Sequence, residues 1–200
     1  MKISSNHSSR NRHFQDLMLH RVHDILLVAS PYDAFILEED GRLTEQILHE
    51  YQGMNLSYAP RVWQANTASY AMDLLSRRSI DIIIVMMRIL DMDLITFCTR
   101  VKKLYSNKPI ILLAFDESEI KQLPDGWNAF IDNVFVWSGN SSVFPAIIKY
   151  IEDTKNVKRD TRKGDVRSII YIEDTPRNYS SILPLIYKET LFHNPEQAKP

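Results

Sequence analysis

The stretch Ile80-Asp-Ile-Ile-Ile-Val-Met-Met-Arg-Ile-Leu-Asp-Met-Asp93 decides the fold. Its apolar half is short, β-branched and uninterrupted, which describes a strand covered on both faces, and its acidic end leads into a helix beginning at Leu94. Four more runs of this kind flank it: Ile25–Ala29, Val62–Ala65, Ile110–Ala114 and Val134–Trp137. Amphipathic stretches separate them. Strands alternating with helices predict a parallel α/β sheet with ILLVA, IIIVM and IILLA at its centre.

Between the strands, Thr67 is a candidate N-cap for the helix that follows. Leu94 to Leu104 places Ile95, Cys98, Val101 and Leu104 on one stripe, with Arg100, Lys102 and Lys103 outward. Ser141 to Ile151 forms a third helix, capped by Ser141 or Ser142, with Val143, Phe144, Ile147, Ile148 and Ile151 buried and Pro145 in the first turn. The segment Pro31 to Pro60 is long for a crossover, and the polar turn Glu38-Glu39-Asp40-Gly41 splits it before a helix over Leu43–Tyr51. The charged Asp116–Leu123 and the turn Pro124-Asp125-Gly126 leave room only for a short fourth helix.

Composition excludes several classes. The 200 residues are 44% hydrophobic and 24% charged with a net charge of −1, so neither disorder nor global attraction to nucleic acid or an anionic membrane is expected. Charge is uneven along the chain: residues 1–23 sum to +3, 24–153 to −7 and 154–168 to +4. One basic end docking on the acidic middle is an economical use of that pattern. Cys98 is the single cysteine, which precludes an intrachain disulfide and fits a reducing, cytoplasmic location. No apolar run approaches the roughly 20 residues of a membrane span. His20 and His23 are three apart but lack a third ligand, and the five glycines form no dinucleotide, P-loop or nucleophile-elbow motif. No metal or cofactor is expected.

The domain reading is a mobile tail over 1–22, a domain over 23–153, a basic linker over 154–166, and a final unit over 167–200. That last unit opens with a strand, Ser168-Ile-Ile-Tyr-Ile172, and a turn, Glu173-Asp174-Thr175-Pro176, before a helix over Asn178–Leu191. It echoes residues 25–48. One strand and one helix cannot close a core alone, so the chain reads as the front of a longer protein or a truncated product of one.

The five strand–helix units resemble the receiver domain of bacterial response regulators, and residues 167–191 resemble the opening of a second copy. The resemblance implies a flavodoxin-like sheet of order 2-1-3-4-5 with helices on both faces, plus a C-terminal strand–helix extension. It also implies a site: an acidic pair after strand one, an acceptor aspartate after strand three, a hydroxyl after strand four and a lysine after strand five. In that family the carboxylates hold Mg²⁺, the aspartate attacks the phosphoryl group, and hydroxyl and lysine bind its oxygens. In this chain those positions carry Ala29 and Ser30, Met86, Ala114, and Trp137 followed by Ser138. The expectation is a pseudo-receiver that cannot be phosphorylated, with no catalytic residues. Nearby Asp33, Asp91 and Asp93 are read as solvated loop acids. Glu173 and Asp174 match the acidic pair of a second copy.

A closer resemblance runs through His20-Arg-Val-His-Asp-Ile-Leu-Leu-Val-Ala-Ser-Pro-Tyr-Asp-Ala-Phe-Ile-Leu-Glu-Glu-Asp-Gly41 and Val136-Trp-Ser-Gly-Asn140. It is similar to the N-terminal region of large bacterial phosphoenolpyruvate/pyruvate-binding proteins related to pyruvate, phosphate dikinase, whose catalytic domain would lie downstream. The function expected is therefore a non-catalytic signalling module that contacts a protein partner, a downstream catalytic domain or a second copy, using the face between the fourth strand and the fifth helix. Two alternatives stand beside it: an anion sensor built on the loop Ser138, Gly139, Asn140, Ser141 and Ser142, at the carboxyl edge and a helix N-terminus, and an authentic phosphoacceptor.

Overall fold

The computed structural model describes residues 18–38, 43–54, 56, 58–163 and 168–192. Five strands, β1 (Asp24–Val28), β2 (Arg61–Ala65), β3 (Ile82–Val85), β4 (Ile110–Ala114) and β5 (Asn133–Val136), form one parallel sheet in the order β2-β1-β3-β4-β5. The expected flavodoxin-like topology is the one observed. Register pairs Ile25 with Val62 and Ile82, Ile84 with Ile111, and Leu113 with Phe135.

Successive side chains point to opposite faces of a strand, so each central strand feeds two cores. Ile25, Leu27, Ile82, Ile84, Ile111 and Leu113 pack under α1 (Pro31–Glu38), α2 (Leu43–Gly53) and α6 (Val143–Lys163). Leu26, Val28, Ile83, Val85, Ile110 and Leu112 pack under α3 (Ala68–Arg77) and α4 (Leu94–Leu104). The long first crossover is thus two helices, and the fourth is the short α5 (Glu117–Ile120), followed by a 3₁₀ turn at Trp127–Ala129. Thr67 Oγ1 caps α3 by accepting from Tyr70 N–H at 3.1 Å. In α4 the buried stripe is Leu94, Phe97, Cys98 and Val101, while Leu104, expected on that stripe, is exposed. Burial pushes the Cys98 thiol up to about 12.

Three expectations about the ends are corrected. Residues 18–22, placed in a mobile tail, are tied down: Val22 N–H donates to Glu152 Oε1 (2.9 Å) and His20 N–H to Asn156 Oδ1 (3.0 Å), while His23, at the start of the expected domain, donates its N–H to Asp81 Oδ2 (2.8 Å). Glu152 and Asp81, two acids of the stretch 24–153, accept from backbone amides here, not from basic side chains. Residues 1–17 lie outside the described residues.

The second correction concerns the linker, whose residues 154–163 continue α6. Charged, good helix formers carry the helix out of the core, and a solvated helix has the same composition as a hinge.

Third, Ser168–Ile172 joins no ladder, and α7 (Pro176–Phe192) packs on β5 and α6. No strand pairs there because the outward amides of the β5 edge are taken by side chains: Val134 N–H donates to Asn133 Oδ1 and Val136 N–H to Ser180 Oγ, both at 2.8 Å. Among the described residues, no helix is long and apolar enough to cross a membrane.

Candidate functional site

The carboxyl ends of β1, β3, β4 and β5 form the rim at which open α/β sheets place ligands. The ladder continues one step into it: Ala29 N–H donates to Ala65 O (3.0 Å), Met86 N–H to Val28 O (2.9 Å) and Trp137 N–H to Ala114 O (2.7 Å). The five positions expected in the degenerate pocket lie along this rim: Ala29 and Ser30 follow β1, Met86 follows β3, Ala114 ends β4 and Trp137 follows β5. All are buried; Met86 is 1% exposed, and Trp137 packs its ring against Phe144 at 5.8 Å. Thioether, methyl and indole fill the place with apolar matter. Ser30 is the polar member, and its Oγ accepts from Asp33 N–H (3.1 Å), so its hydroxyl opens α1 rather than facing a ligand.

Asp33 is not the solvated acid expected. It lies in the first turn of α1, is 1% exposed, and accepts from Arg88 Nη2 at 2.6 Å and from Arg88 Nε at 3.2 and 3.3 Å. The carboxylate hydrogen bond and charge raise the Arg88 guanidinium further above its ordinary value. Ser30 N–H also donates to Arg88 O at 3.0 Å, so the loops after β1 and β3 are joined twice. A bidentate guanidinium satisfies the geometry and the charge of this buried carboxylate. Arg88 is a functional residue that the strand pattern by itself does not mark. The signal was there: a single cation in an apolar run, two residues beyond the acceptor position, facing an acid just past the neighbouring strand.

The other two acids also hold backbone. Asp91 bridges to the start of α3, accepting from Ala68 N–H (2.5 Å), Ser69 N–H (3.1 Å) and Ser69 Oγ (2.6 Å); the Ser69 hydroxyl above all lowers its carboxyl. Asp93 caps α4 through Thr96 N–H at 2.9 Å; the Thr96 side chain first, and this backbone bond second, lower its carboxyl. Glu119 Oε2 accepts from Phe115 N–H (2.7 Å). Among the described residues no three His, Cys, Asp or Glu side chains gather as a metal cluster.

The loop Ser138–Ser142 turns at Gly139, whose φ of +78° lies in the left-handed region. Asn140 makes the bond expected of Ser141 or Ser142: its Oδ1 accepts from Ser142 N–H at 2.9 Å. Val143, Phe144 and Ala146 N–H already donate to Asn140 O, Ser141 O and Ser142 O, and Pro145 has none. The amides an anion would use are largely engaged. The adjoining cleft, lined by Glu50, Met54, Asn140, Tyr187 and Lys188, holds ≈ 110 Å³, below the 300 Å³ or so of an ordinary ligand pocket. The acidic pair proposed for a second copy turns on Thr175: Glu173 Oε1 accepts from Thr175 N–H (3.0 Å) and Asp174 Oδ1 from Thr175 Oγ1 (3.2 Å).

No family model matches the chain, and no curated protein matches its sequence. Solved structures do. A response regulator receiver domain protein from Clostridium thermocellum is 14% identical over 68% of this chain and 99% of its own, with a TM-score of 0.52. The signal receiver domain of a signal transduction histidine kinase from Syntrophus aciditrophicus is 21% identical over 76% of this chain and 99% of its own, with a TM-score of 0.48. The response regulator TrrA from Thermotoga maritima, solved with Mg²⁺ and a beryllium fluoride, is 17% identical over 64% of this chain and 98% of its own, with a TM-score of 0.49. The first of these carries the architecture, which is that of a receiver domain.

Proposed function

We propose that this receiver fold is a regulatory module that takes no phosphoryl group and acts by contacting protein. One observation carries the reading: at the rim, metal and phosphoryl chemistry meets Ala29, Met86, Ala114 and Trp137, and Asp33, the single buried carboxylate there among the described residues, is already held by Arg88. A thioether is no acceptor for phosphorus, and a carboxylate saturated by a guanidinium is a poor ligand for a divalent cation. The doubled link between the loops after β1 and β3 favours one fixed arrangement there. Regulation then comes through partners rather than through chemistry at the rim.

Incubation with acetyl phosphate and Mg²⁺, followed by intact-mass measurement, tests this. The expected outcome is an unmodified chain. A stable adduct of about 80 Da, one phosphoryl group, overturns it. Service to a phosphoenolpyruvate/pyruvate-binding catalytic domain is supported by the sequence resemblance over His20–Gly41 and Val136–Asn140.

A further inference from the structure

The final helix covers a face that a partner would use. Ser180 Oγ accepts from the outward Val136 N–H, and Tyr187 Oη donates to Asp153 Oδ2 on α6 at 2.9 Å. Tyr179 packs against Phe135 (5.4 Å between ring centroids) and Tyr150 (6.4 Å), while Leu183 is buried in the same cluster. The edge strand and the flank of α6 are thus occupied by the chain itself.

Yet the covering segment satisfies itself poorly. Ile169, Ile170 and Ile172 stand in solvent at 70%, 83% and 87% exposure, although their sequence is that of a strand. Tyr171 stacks on Tyr179, but its Oη is buried without a hydrogen-bond partner. Pro184 interrupts α7 and leaves the Ser180 carbonyl without its helical donor. Exposed isoleucines and an orphaned hydroxyl each lower the gain from closure. By contrast, the central strands β1, β3 and β4 are apolar and paired on both sides.

We propose that residues 168–192 are a latch with two states: closed on β5 and α6 as seen here, and open, with α7 lifted and the β5 edge bare. Opening is a separate, cheaper event than unfolding of the sheet. The latch itself stands on these contacts; its link to partner binding rests on the function proposed above, whose failure is read separately as a mass adduct.

Hydrogen exchange on the full chain, resolved by residue, distinguishes the cases. Val136 and Trp137 are neighbours, but the Val136 amide is held only by α7, whereas the Trp137 amide is held by β4. Val136 should exchange together with the amides of α7, at least about 100-fold faster than Trp137. Equal rates for Val136, α7 and Trp137 would show an integral helix and overturn the latch. Ser180→Ala should speed Val136 about tenfold without moving Trp137; an unchanged Val136 rate counts against the latch. Leu183→Asp should open α7 and leave Trp137 protected, and loss of Trp137 protection in that variant also counts against it.

Discussion

The rim of the sheet and the buried flank of α6 make opposite use of polar residues. Along the rim, positions where phosphoryl chemistry would need charge carry methyl, thioether and indole, and the buried acid Asp33 is neutralised by Arg88 from the loop after β3. On α6, Lys149, Glu152 and Asn156 are buried at helical spacing, and the last two bind the backbone of residues 20–22. Lys149 Nζ meets Glu152 Oε2 at 2.9 Å. The contrast teaches where this chain needs charge. Rim side chains contribute little to pairing, since the ladder there is made by backbone, so they can become apolar without loss of fold. The α6 groups are the acceptors and donors for an incoming strap, and removing one strands the others.

The largest expected effect follows from Glu152→Ala. It takes the carboxylate from beside the buried Lys149 charge and the acceptor from Val22 N–H. Breaking a buried pair by removing one partner costs about 3–5 kcal/mol, to be read from the shift of the urea midpoint. A loss below about 1 kcal/mol would erase the distinction drawn here, since typical exposed pairs cost that much. Next comes Arg88→Ala at the rim. Asp33 is buried, but the Arg88 side chain is 56% exposed, so water reaches the vacated place and the loss should be about 1–2 kcal/mol. If the two variants cost the same, the rim is as structural as the strap.

What the sequence made legible follows the same division. Ile82–Val85 and Ile110–Ala114 announced buried parallel strands because an apolar run of that length has few other uses, and the strand order followed from the resemblance they carried. The apolar residues Ala29, Met86, Ala114 and Trp137 are read from the same runs, since Ala114 ends β4 and the other three sit one step past β1, β3 and β5. The Asp33–Arg88 pair was hidden, because its members are 55 residues apart and each looks like a loop charge by itself. Residues 154–163 were misread since helicity there depends on no apolar stripe. Ser168–Ile172 was misread since strand propensity is local, whereas a ladder needs a free edge and α7 occupies the nearest one.

The smallest effect separates neighbours in a single loop. Composition puts the cap of α6 on Ser141 or Ser142, whereas the bond is made by Asn140 Oδ1 with Ser142 N–H. Ser141 takes part through its backbone carbonyl, accepting from Phe144 N–H at 3.0 Å, and alanine keeps that carbonyl. Asn140→Ala should therefore cost about 1 kcal/mol, the ordinary value of a lost cap, while Ser141→Ala should stay within about 0.5 kcal/mol. Thermal denaturation of both variants beside the parent chain decides it. The reverse order would mean that the serine hydroxyl holds the entrance to α6, which would also leave the Asn140 side chain available at the rim and so weaken the contrast between a closed edge and a polar helix flank.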